Sequence, residues 1–216
     1  VLVTSGAVSA GMAKLQMSKR PTQMREKQAA ASVGQCELMF IYDKFFSQYG
    51  SKIAQLLLTK TITENSILRD NAINTLETLF ELAVIPIVNE NDSIAVDEIT
   101  YGDNDTLSAV TATLIHADLL ILLSDIDGLY NDNPTSNPHA SLIPIVTEID
   151  EHIFSMAQGV GSKLGTGGMA TKLQAAKIAT DAGIPMVIAN GENPQIIYDI
   201  LNNDYRGTLF YKEEHL

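Results

Sequence analysis

The chain has 216 residues, 45% of them hydrophobic, with 26 acidic against 14 basic side chains and a net charge of −12. That length predicts a single domain with a substantial core. The acidity argues against a nucleic-acid partner, which usually meets a basic face. No apolar run reaches the ~18 residues of a membrane span, and no secretory signal pattern is present. The single cysteine, Cys36, excludes an internal disulfide and leads us to expect a cytoplasmic protein.

Short apolar runs alternate with amphipathic stretches along the chain. Residues Val1–Thr4 read as a strand already under way, which leads us to expect a missing N-terminal strand upstream. Ser5-Gly6-Ala7 then turns into a helix. A helix over Glu26–Phe46 holds Cys36 among apolar residues, so this thiol is expected to be packed rather than reactive. A strand follows at Ile53–Leu58, a helix at Ser66–Leu82 and a strand at Val84–Asn89. After a long polar loop come a helix at Thr106–His116, with a structural role expected for His116, and a strand at Leu119–Ser124. The Asn, Pro and Ser of Tyr130–Ser141 predict a surface excursion, and Ile143–Ile149 a small extra strand. Met169–Ala182 reads as helix, Pro185–Ile188 as strand and Pro194–Leu201 as helix. The strands lack polar alternation, as expected of strands buried on both faces of a parallel sheet. The pattern predicts an α/β fold, a three-layer α/β/α sandwich with a mainly parallel central sheet. Neither an internal repeat nor a mark of a second domain is visible.

In open α/β sheets, ligands sit beyond the carboxyl ends of the strands, and here these ends are polar. Ser5 is either a helix N-cap or a group that meets a carboxylate or phosphate. Asn89-Glu90-Asn91-Asp92 is either a solvated turn or a site for an ammonium group and a polar small molecule. In Gly102-Asp103-Asn104-Asp105, Asp105 is either an N-cap or a carboxylate that holds a catalytic lysine, with Asn104 bonding substrate. Ser124-Asp125 can meet a nucleotide, or can belong to a turn closed by Asp127-Gly128. The densest signal is the run from Gly161 to Lys172, with four glycines in eight residues directly before a helix. Such a loop aims several N–H groups at one point, and the helix adds its positive end. Lys163 and Lys172 put cations beside it. The arrangement suits a polyphosphate and phosphoryl transfer, although the Walker spacing is absent. The histidines have no metal-ligand spacing.

Five blocks in order, VTSGAVSAG (3–11), PIVNEND (86–92), YGDNDTLSA (101–109), LLSDIDGLY (122–130) and GTGGMATKLQAA (165–176), resemble the amino-acid kinase family from Val1 to about Phe210. The resemblance implies transfer of a phosphoryl group from ATP to the γ-carboxylate of L-glutamate at the start of proline synthesis. Alternatives are a related kinase acting on aspartate, acetylglutamate, carbamate or UMP, or a non-catalytic amino-acid sensor. It implies Ser5, Asp92 and Asn104 as glutamate contacts. Ser124 and Asp125, with Thr166, Gly167, Gly168, Met169, Ala170, Thr171 and Lys172, are the implied ATP contacts. Lys172 is the implied catalytic lysine and Asp105 the implied organiser of the lysines. Mg²⁺ would arrive with ATP, held largely by phosphate oxygens and water. The family opens with a strand bearing a second lysine and a phosphate loop, both expected upstream of Val1. The chain is therefore expected to be a kinase domain, 1–216, truncated at its N-terminus and without the C-terminal RNA-modification-type (PUA) domain of many members. The resemblance also implies inhibition by proline and a homo-oligomer, dimer or tetramer.

Overall fold

A computed structural model describes residues 1–94, 104–156 and 168–213. The element order is β1 (Leu2–Val3), α1 (Ala7–Lys14), α2 (Met24–Ser47), β2 (Lys52–Leu58), α3 (Thr61–Glu64), α4 (Ser66–Glu81), β3 (Val84–Glu90), α5 (Asn104–Leu114), β4 (Leu120–Ser124), β5 (Ile145–Val146), α6 (Glu151–Met156), α7 (Met169–Asp181), β6 (Met186–Asn190), α8 (Ile196–Leu201) and β7 (Gly207–Phe210). The chain divides into two compact units, Val1–Leu107 and Ser108–Leu216.

In the first unit the sheet order is β1-β3-β2, parallel throughout. Parallel neighbours need crossovers, and here helices supply them. Ile87 and Val88, at the centre of β3, are fully buried, as is Leu76 of α4. Helices α1 and α2 meet through small residues. A Cβ on Gly11 would overlap the carbonyl of Ala30, and one on Gly34 would overlap the carbonyl of Ala7. Glycine at both positions lets the two backbones touch.

In the second unit the order is β4-β6-β7-β5, with β4–β6 and β5–β7 parallel and β6–β7 antiparallel. Strand β6 is buried on both faces. Met186 and Ile188 pack into a cluster with Leu122, Leu129, Leu173 and Phe210, while Val187 and Ala189 pack on the other side with Ile200. Alternation is absent for the reason expected, because neither face meets water. Thr208 of β7 is fully buried, and its hydroxyl accepts from the Leu129 N–H (2.8 Å) and donates to the Ile143 carbonyl (2.7 Å).

The alternating α/β order and mostly parallel pairing match the sequence reading, and most element boundaries agree within two residues. The short α3 and α6 and the strand β7 carried no clear pattern. Cys36 is exposed, not packed, with its thiol donating to the Ser32 carbonyl (3.5 Å). Phe40, one turn further along the same side of α2, is exposed as well, so this face of the helix is open. His116 is exposed beyond the end of α5 with φ of 49°, so it ends the helix rather than filling a core.

Gly34→Ala is expected to destabilise the protein by at least about 2–3 kcal/mol, the upper range of overpacking, because the obstruction is backbone. Denaturant unfolding of Gly34→Ala, on α2, beside Ala10→Ser, on α1, checks it; equal midpoints would refute the close crossing.

Candidate active site

Three segments of the first unit converge at the carboxyl edge of its sheet. β1 ends at Val3, and Thr4 continues the pairing by donating its N–H to the Val88 carbonyl (2.9 Å). Ser5 is exposed and does not cap α1: the cap is Gly6, at φ of 92°, with no side-chain bond. A φ this far into the positive region favours glycine. The Ser5 hydroxyl is therefore not spent as an N-cap, one of its two sequence readings.

The Asn89–Asp92 cluster divides differently from the sequence reading. β3 runs on to Glu90, so Asn89 and Glu90 are buried, at 1% and 8% exposure, and only Asn91 and Asp92 stand in the turn. Asn89 is spent inside the protein. Its Nδ2 donates to Gln35 Oε1 of α2 (2.9 Å), and its Oδ1 accepts from the Glu90 N–H (2.9 Å) and from Asn104 Nδ2 (2.7 Å). Asn104 Nδ2 also donates to the Thr4 carbonyl. Thr4 Oγ1 shares a hydrogen bond with the Tyr42 hydroxyl (2.6 Å). Asn104 is thus held against the residue before Ser5 and against the strand that leads to Asp92.

Asp92 is partly buried, and burial pushes its carboxyl above the usual carboxylate range. Loss of water disfavours the charged form, so the site favours a cation that would restore it. Asp105 is 8% exposed in the first turn of α5. The helix begins at Asn104, so Asp105 is not the N-cap, and its carboxylate lies where the helix dipole favours negative charge.

In the second unit the carboxyl ends of the parallel strands β4 and β6 lie side by side, with Ser124 in register with Asn190. A cleft of about 440 Å³ opens there, lined by Leu123, Ser124, Asp125, Asn190, Gly191 and Glu192. Ser124 Oγ donates to Asp125 Oδ1 (3.2 Å), and the Gly191 N–H donates to the Ser124 carbonyl (2.8 Å). Sequence reading missed Asn190, Gly191 and Glu192. Ending the strand at Ile188 hid a polar strand end of the same kind as the others. Beyond the cleft, Asp127 accepts from Asn190 Nδ2 (3.2 Å) and the Tyr130 hydroxyl (3.0 Å) and pairs with Arg206 (3.0 Å).

Gly168 caps α7 without a side chain, Thr171 Oγ1 donates to the Gly168 carbonyl (2.7 Å), and Lys172 stands in the first turn. The helix therefore presents N–H groups and a cation at its positive end. Gly161–Gly167, with Lys163, Thr166 and Gly167, lies outside the described residues, as do Gly102 and Asp103.

A model of the amino acid kinase family matches residues 1–190. The chain belongs to the amino acid kinase family. Relatives within it include a glutamate 5-kinase of Clostridium perfringens, 53% identical over 97% of this chain and 80% of the relative. One from Clostridium acetobutylicum is 55% identical over 97% and 79%, and one from Listeria innocua 52% identical over 97% and 78%. Among solved structures, carbamate kinase from Giardia lamblia bound to AMP-PNP superposes with a TM-score of 0.65 at 16% identity, covering 98% of this chain and 84% of that one. The isopentenyl phosphate kinase of T. acidophilum gives 0.60 at 16%, covering 96% and 81%. These structures share the family's fold.

The raised Asp92 carboxyl fixes a sign. Its ionised form costs stability above the folded-state pKa, and the cost disappears as pH falls through that value. Asp92→Asn is therefore expected to raise the Tm of the ligand-free protein at about pH 7 and to lose that gain progressively as pH falls, the loss being complete only below the ordinary carboxylate range, where the carboxyl is protonated in the folded and the unfolded chain alike. A gain that grows towards acid would contradict the assigned burial.

Proposed function

We propose that the chain is the kinase domain of a glutamate 5-kinase, moving the γ-phosphoryl group of ATP to the γ-carboxylate of L-glutamate in the first step of proline synthesis. The observation that carries this reading is the 53% identity over 97% of the chain with a glutamate 5-kinase. The carboxylate oxygen attacks the γ-phosphorus, the bond to the β,γ-bridging oxygen breaks, and ADP leaves as the acyl phosphate forms. Two anions must be aligned and their charge neutralised, and no covalent enzyme intermediate is needed.

In this reading Ser5, Asp92 and Asn104 hold glutamate, with Asp92 as partner of its ammonium group. The cleft at Ser124 and Asp125 takes part of the nucleotide, and Asn190, Gly191 and Glu192 join it. Thr166 through Lys172 serve the phosphates, as a helix N-terminus after glycines does. Lys172 neutralises charge on the transferring group, and Asp105 is the carboxylate of the catalytic set. Mg²⁺ enters with ATP, and its usual reliance on phosphate oxygens and water asks for few protein ligands. Among the described residues no three His, Cys, Asp or Glu side chains form a cation site. No described helix is long and apolar enough to cross a membrane. Cytoplasmic location, a dimer or tetramer, and proline as feedback inhibitor complete the proposal and rest on kinship.

ADP release measured with glutamate, aspartate, acetylglutamate, carbamate and UMP tests the reading. Turnover should be confined to glutamate, and preference for another acceptor would overturn it. Lys172→Ala should lower kcat by roughly 10²–10³, the loss expected when one charge-stabilising donor is removed, with ATP affinity little changed. Near-normal kcat would remove Lys172 from catalysis. Asp92→Ala should raise the KM for glutamate by roughly 30-fold or more, an ammonium partner being worth about 2–3 kcal/mol, and leave the KM for ATP nearly unchanged. The opposite split would show the two substrate sites to be interchanged.

A further inference from the structure

The buried amides of Gln35 and Asn89 and the half-buried amide of Asn104 form a chain in the first unit whose hydrogen-bond direction is set by backbone at Thr4 and at Glu90. An amide side chain can usually be turned over to exchange its oxygen and nitrogen. Here that freedom is removed. The Thr4 carbonyl can only accept, so the group that meets it must be Asn104 Nδ2. The Glu90 N–H can only donate, so the group that meets it must be Asn89 Oδ1. With Asn89 set this way, its Nδ2 points at Gln35, which answers with Oε1. Gln35 is 7% exposed, and its Nε2 is buried with no hydrogen-bond partner. Turning Gln35 over would pair two donors across the 2.9 Å contact, so it keeps its oxygen on Asn89 and leaves its own nitrogen unpaired. An unpaired buried donor is costly, and its presence marks the direction of the chain as the feature being kept. At the far end, Asn104 has both amide protons committed, to Thr4 and Asn89. The atom it has left to offer a ligand is Oδ1, an acceptor.

We propose that Gln35 and Asn89 are positioning residues for substrate recognition, fixing the Asn104 amide so that it meets the acceptor substrate with its carbonyl oxygen and selects for an N–H donor. The proposal rests on the reading of Asn104 as a glutamate contact. The donor on glutamate is the α-ammonium group. Asp92 and Asn104 then surround one cation with acceptors, and neither offers a donor that would favour a carboxylate in its place. Gln35 touches no substrate in this scheme. It acts through Asn89, and Asn89 acts through Asn104.

The test is Gln35→Met in the full chain. Methionine has the same length without the acceptor, and it removes the unpaired Nε2 while stranding Asn89 Nδ2, so stability should stay near that of the parent; Tm is measured alongside. Gln35→Leu replaces it if the methionine variant does not fold. The KM for glutamate should rise roughly tenfold, the scale of one buried hydrogen bond, with kcat and the KM for ATP within about twofold. The Ki of glutarate, a competitor lacking the amino group, should not move. In an Asn104→Ala background the same substitution should add nothing, because its effect passes through Asn104. Additive losses, or an equal loss of glutarate binding, would overturn the proposal and leave the glutamate site standing. If Asn104→Ala alone left glutamate KM unchanged, Asn104 would not be a substrate contact, and both that assignment and the proposal would fall.

Discussion

A buried polar group must find its partners inside the protein, and in the first unit this requirement falls on Asn89. Its amide lies at 1% exposure on the central strand and bonds to α2, to α5 and to its own strand. Through Asn104 it also reaches the end of β1. Four elements therefore have to arrive in one arrangement before the Asn89 amide is satisfied, and leaving it unpaired at this depth would be costly. The same set borders Ser5 and Asp92, so the condition for folding the sheet edge is also the condition for assembling the recognition groups.

The two units solve a similar problem with different means. In the first, helix α1 is brought against α2 by glycines that let backbone touch backbone, which fixes where the Ser5-Gly6 corner sits. In the second, the polar groups lie at the ends of two parallel strands in register, and the cleft needs only that their carboxyl ends be level. The acidic composition makes Lys172 at the head of α7 a local exception, and its place on the first turn adds its charge to that of the helix terminus.

Much of this was legible in the sequence because it depends on local rules. Apolar runs without alternation gave strands such as β6, which is buried on both faces, and the glycine run announced the start of α7. Polar residues at strand ends pointed to Ser5, Asp92, Ser124 and Asp125, and a polar run before a helix to Asn104; Ser5, Asp92 and Asn104 lie along one sheet edge and Ser124 and Asp125 on one cleft. What sequence could not supply was the difference between a polar residue facing a ligand and one facing inward. Asn89 and Asp92 look alike in a turn-forming run, yet one extra residue of strand buries the first and leaves the second partly open. Gln35 gave no signal, since it is one of two glutamines in a 24-residue helix, and each reads as a solvated position until the strand beneath it is known. β7 was missed because Gly207–Phe210 is short, and its antiparallel pairing depends on distant partners.

That missed strand bears on the order in which the protein assembles. The Thr208 hydroxyl bridges the Leu129 N–H and the Ile143 carbonyl, and Gly128 lies so close that a Cβ there would press on the same oxygen. The segment leaving β4 is thus seated on a residue 79 positions further along the chain. Closing so long a loop is entropically slow. During synthesis the Leu129 N–H must wait for this partner until nearly all of the second unit has left the ribosome, whereas the cleft at Ser124 needs only the earlier pairing of β4 with β6.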